Sequence, residues 1–208
     1  MKVSAVIVNP HKKVQKSKDL PLSLLLSISS VLLGLISGTL LYCFFKESLY
    51  SDVFSLFTNF FSDFTQKSSL EILSGLMASE LPYIFMMLIF SFSAIGFPFT
   101  ILFTFIKSLA PTLLFSHLYF EYGLKGAEYV FLVLLPGEIV CTFGVLLMTQ
   151  SCFNLSKFLS KNVKTTRGES SEETRNFTLK FAVSTVIILT SNVITLLTVA
   201  CFSSLFAF

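Results

Sequence analysis

Charge is what this sequence has least of. Asp, Glu, Lys and Arg make up 13% of its residues, about half the ~25% usual in a soluble domain. Hydrophobic residues make up 53%. A water-soluble fold of this length has too few polar groups here to cover its surface, which excludes that class and leaves the lipid bilayer as the solvent. The formal net charge of +3 is too small to suggest a nucleic-acid partner. Histidine is almost as scarce. His11 and His117 stand far apart, so no metal site can be argued from them. Cys43, Cys141, Cys152 and Cys201 lie in or beside apolar runs without CxxC spacing, and read as small packing residues. There is no GxSxG, no HExxH and no Walker-type loop, and Glu172-Glu173 falls in a polar loop. Nothing here assembles a catalytic or cofactor-binding constellation, so the chain reads as a non-enzyme without cofactor.

What is present is a series of apolar runs. Residues 1–20 form a basic tail with Lys2, His11, Lys12, Lys13, Lys16 and Lys18 against Asp19. The run that follows is too long for a signal peptide and ends without a small-x-small site. Residues 21–206 read as a single membrane domain, an all-α polytopic bundle. Its spans are expected at about 21–45, 81–105, 107–121, 129–152 and 181–206, since roughly 20 helical residues cross a ~30 Å core. Gly34 and Gly38 form a GxxxG step that lets another helix approach closely. In the segment 46–80, Phe54, Phe57, Phe61 and Phe64 recur at helical spacing among polar residues, as in an amphipathic interfacial helix. Residues 81–122 are broken by Pro82, Gly96, Pro98, Lys107 and Pro111. They read either as two spans meeting near Lys107 or as a re-entrant pair, so about five spans are expected with one pair broken or short.

Orientation follows from lysine and arginine placement. The basic tail and the basic loop 154–180 should both be cytoplasmic. An even number of crossings must then separate them, which places the segment 46–80 and the C-terminus outside a multi-pass cell-membrane protein. The sequons at Asn154 and Asn176 fall on the inner side, away from glycosylation.

Four polar residues stand out inside the apolar runs. Glu138 falls near the middle of 129–152, just after Pro136-Gly137. An ionised acid there must be paired, neutralised or hydrated. It is either a proton, ion or partner-helix site, or a protonated acid bonded to a carbonyl freed by Pro136. Lys107 reads as a snorkelling residue at a helix end. His117 reads as a satisfied polar group inside the bundle, and Asn192 as a hydrogen-bonding residue between helices.

The segments Phe90-Ser-Phe-Ser-Ala-Ile-Gly96-Phe-Pro98, Phe105-Ile-Lys107-Ser, Glu121-Tyr-Gly-Leu-Lys-Gly126 and Leu134-Leu-Pro136 resemble the stage II sporulation protein M family of bacterial membrane proteins. That family shows a small-residue G-x-P step, a lysine at the next helix break, a yGLKG turn and an lLP element. The likeness follows span order over about 21–205 and is most specific over about 90–140. This chain departs from it with Ser108, where many members carry glycine, and with Gly137-Glu138-Ile139 after the lLP element. The resemblance implies a scaffold that assembles with peptidoglycan-cutting enzymes during engulfment at the septum and is not itself the hydrolase. On this expectation Gly34, Gly38, Gly96, Pro98, Gly123, Gly126 and Pro136 shape the bundle. The outward segment and the glycine faces would meet other membrane or cell-wall proteins, with self-association also allowed. The alternative is a transporter or permease-type subunit with a path near Glu138 and the broken helix.

Overall fold

Apolar runs in a bilayer must satisfy every backbone N–H and C=O internally, and the helix does so. The computed structural model describes residues 22–49, 69–161 and 169–202. All the regular structure there is helical: α1 (Leu22–Leu49), α2 (Ser69–Ser91), α3 (Gly96–Tyr122), α4 (Leu124–Tyr129), a π-turn (Val130–Leu134), α5 (Leu135–Lys161) and α6 (Glu169–Phe202). Five helical stretches are long and apolar enough to cross a membrane: Leu22–Phe45, Leu70–Ser91, Gly96–Tyr122, Leu124–Ser160 and Thr174–Phe202. The expected all-α membrane bundle is the architecture found.

The spans differ from the sequence reading in their limits. The chain turns at residues 92–95, not at Lys107. At Gly96 a β-carbon would lie 1.8 Å from the Phe90 carbonyl oxygen, so the turn closes only around glycine. Pro98 follows in the first turn of α3, where its missing N–H costs no helical bond. The second span begins at Leu70 and not at residue 81, because it takes Glu80 into its interior. Most of the phenylalanine-containing segment, residues 50–68, lies outside the described residues, as do the basic tail and residues 162–168. The flanks of the basic loop are helical, in α5 and α6. Long cationic side chains permit this by reaching back along apolar surface; the Lys157 ammonium sits 5.5 Å from the centre of the Phe153 ring.

Two glycine seams hold the helices together. Along α1 and α3, Ser30 donates to the Ile101 carbonyl at 2.8 Å. A β-carbon at Gly34 would meet the Phe105 carbonyl oxygen at 2.7 Å, and one at Gly38 the Leu109 carbonyl oxygen at 2.9 Å. The contacts advance in step, so α1 and α3 run parallel. The GxxxG step is thus used within the chain. Facing it, α3 presents Ser108 and Thr112, part of a buried ladder Thr100, Thr104, Ser108, Thr112 and Ser116 at four-residue spacing in which Thr104 also shares a 2.6 Å hydrogen bond with Thr149 of α5. Ser108 touches the Gly34 position and keeps the contact small. The second seam joins α5 to α6. A β-carbon at Gly137 would meet the Thr195 hydroxyl at 2.0 Å, and one at Gly144 the Ile188 side chain at 2.8 Å. The main apolar core lies beside it, with Met87, Val145, Met148, Cys152 and Ile188 at its centre.

Candidate functional site: an intramembrane charged cluster

Each of three helices carries one charged residue and one proline close together. These are Glu80 and Pro82 in α2, Lys107 and Pro111 in α3, and Pro136 and Glu138 at the start of α5. A proline inside a helix leaves the carbonyl four residues earlier without its N–H partner. The carbonyls concerned are those of Ala78, Lys107 and Leu132. The π-turn at Val130–Leu134 widens the helix just ahead of Pro136, which relieves the ring's clash with the preceding turn. Beside it, the Thr198 hydroxyl of α6 donates to the Val133 carbonyl at 2.7 Å.

The three charges meet. Lys107 Nζ donates to Glu80 Oε1 at 2.6 Å, and the Glu80 side chain is only 7% exposed. Both residues sit near the middle of their spans, so Lys107 is a paired residue within a helix and not a snorkelling one at a helix end. Glu138, half-buried, lies within electrostatic reach of both. It borders a cavity of about 130 Å³ between α2, α3, α5 and α6. Glu80, Glu138, Cys141, Ser191, Asn192 and Thr195 supply its polar lining. Two polar atoms at this place have no hydrogen-bond partner among the described residues: Glu80 Oε2 and Asn192 Nδ2.

The other residues singled out in the sequence lie elsewhere. His117 is buried on the face of α3 that meets α1, with its Nδ1 3.5 Å from the Tyr42 hydroxyl; it is a packing and hydrogen-bonding residue away from the cluster. Gly123 adopts φ 59° and lets the chain reverse between α3 and α4. At Gly126 a β-carbon would lie 2.0 Å from the Leu118 carbonyl oxygen. Cys141 and Cys152 are buried and Cys43 and Cys201 exposed, all four as free thiols. The described residues contain no group of three or more His, Cys, Asp or Glu side chains arranged to hold a metal ion.

Sequence reasoning missed Glu80. In the sequence it falls within the polar segment 46–80, away from the apolar run that holds Lys107. The available signal was an acid and a base at similar depth in consecutive apolar runs.

Comparison with family models, curated proteins and solved structures finds no match to this chain.

Proposed function

We propose that this chain is a non-catalytic, multi-pass membrane scaffold of the kind its resemblance to the stage II sporulation protein M family implies. It would organise peptidoglycan-remodelling enzymes at the cell membrane. One observation carries the reading: most of the residues that bear the resemblance fall where the backbone turns or helices close on each other. Gly96 closes the α2–α3 turn, Gly123 and Gly126 form the α3–α4 reversal, and Pro136 follows the π-turn. The shared pattern is one of shape, as expected of a protein whose task is to present surfaces. In this reading the N-terminus and the basic segment 154–180 face the cytoplasm, and the C-terminus is outside. The α1 glycine face is occupied by α3, so partners meet other surfaces, above all the segment 50–68 between the first two spans.

A second reading, a transport subunit, is favoured by the cavity bordered by Glu138, since intramembrane acids beside cavities mark ion and proton paths. Purification of the full chain in mild detergent, with mass spectrometry of what accompanies it, separates the two. Cell-wall hydrolases support the scaffold. A nucleotide-hydrolysing subunit in their place overturns it in favour of transport.

A further inference from the structure

With Glu138 ionised, the cluster is one positive charge short. Glu80 and Lys107 form an ion pair, and Glu138 adds a second acid to the cavity wall. A surplus charge at the middle of a membrane is costly unless it is matched. A monovalent cation balances this one, whereas a divalent ion would reverse the imbalance.

The donors fit such an ion. Glu80 Oε2 has no hydrogen-bond partner among the described residues. Carboxylate and hydroxyl oxygens are hard ligands, suited to a hard cation. Independently of the acids, Asn192 is 6% exposed, borders the same cavity, and leaves its Nδ2 donor unmatched. A buried donor of this kind requires an acceptor, and a water molecule carried in by the ion supplies one. The cavity of about 130 Å³ has room for roughly four waters at ~30 Å³ each, enough for a partly hydrated ion and too little for a large organic molecule. The rest of its wall includes Leu76, Phe115 and Val199, apolar side chains that lower the local dielectric and strengthen attraction between the ion and the acids.

We propose that the cavity between α2, α3, α5 and α6 is a binding site for a small alkali cation of sodium type. The ion lies between Glu80 Oε2 and Glu138, and one of its waters accepts a hydrogen bond from Asn192. The site stands independently of the scaffold reading. A scaffold that binds an ion keeps its partners, and a loss of ion binding says nothing about them.

The test compares melting of the purified full chain in detergent, in sodium chloride and in N-methyl-D-glucamine chloride of equal ionic strength. A ligand that binds only the folded state raises the melting temperature. Sodium should raise it by on the order of 3 °C. In Glu138→Gln and Asn192→Leu the melting difference between the two salts should be gone. Cys141→Met fills the cavity without altering any charge, and should also abolish it. As a direct measure on the unmodified chain, radiolabelled sodium should bind and be displaced by unlabelled sodium. Equal melting in the two salts together with no displaceable sodium overturns the proposal, as does a sodium increment that survives in Glu138→Gln. In either case Glu138 is neutralised by a proton, and water alone fills the cavity.

Discussion

Lys107 of α3 and Glu80 of α2 form a 2.6 Å ion pair near the middle of two adjacent spans. Breaking a buried pair by removing one partner typically costs ~3–5 kcal/mol, because the other charge stays buried alone, whereas replacing both with apolar groups is often close to neutral. Lys107→Met should therefore lower thermal stability sharply in detergent. The double variant Glu80→Met/Lys107→Met should recover most of the loss. A double variant as unstable as the single one would mean that the two residues act separately.

The α1–α3 seam has no room for a side chain at Gly34, where a β-carbon would meet the Phe105 carbonyl at 2.7 Å. Overpacking a close contact costs about 1–3 kcal/mol. Gly34→Ala should fall in that range, and the Gly34→Leu/Gly38→Leu variant should lose protein level altogether. Because the seam is internal, a disulfide between cysteines at Ser30 and Ile101 should form within one chain, without producing dimers on a non-reducing gel. A dimer band would assign that face to self-association.

Glycines at three other positions should respond in opposite directions. At Gly75, within α2, nothing lies within 4 Å of the β-carbon site, so Gly75→Ala should stabilise by roughly 0.5–1 kcal/mol through helix propensity. Gly126→Ala must displace the Leu118 carbonyl, and should destabilise by ~1–3 kcal/mol. Gly123→Ala has open space but a φ of 59° with ψ −131°, a region side chains avoid, and should destabilise by ~1–3 kcal/mol through backbone strain alone. Melting temperatures of the three variants give the ordering directly; a destabilised Gly75→Ala would show that α2 carries a contact on that face.

Orientation is tested by impermeant thiol labelling in intact cells, in a background where the exposed Cys43 and Cys201 are serine. A cysteine at Lys125, exposed at the α3–α4 reversal, should be modified from outside. One at Thr174, exposed near the start of α6, should be spared until the membrane is permeabilised. The opposite pattern would invert the topology.

The helical class and the number of spans were legible because hydropathy is a local property that each run carries by itself. The close approach at Gly34 and Gly38 was legible for the same reason, although its partner was not. The position of the α2–α3 turn was misread because Lys107 and Pro111 look like interruptions in one dimension. In three dimensions Glu80, 27 residues earlier, matches the lysine. The Gly137–Gly144 seam also went unread, since glycine spaced by seven residues signals nothing until α6 supplies Thr195 and Ile188. Asn192 was expected to hydrogen-bond between helices. It borders a cavity shared by four helices, a place that no single helix defines.

The parallel pairing of α1 with α3 has a consequence for how the protein is made. Ser30 finds its acceptor 71 residues later in the chain, and the span between them, α2, runs the opposite way. During synthesis α1 must therefore wait in the bilayer with its glycine groove facing lipid while α2 is inserted. It becomes a wall of the finished bundle only when α3 follows in its own direction. A ribosome-bound chain halted before Ile101 should leave α1 free to be crosslinked to lipid or to the insertion machinery through that groove, and one long enough for α3 to have left the ribosome and entered the bilayer should not.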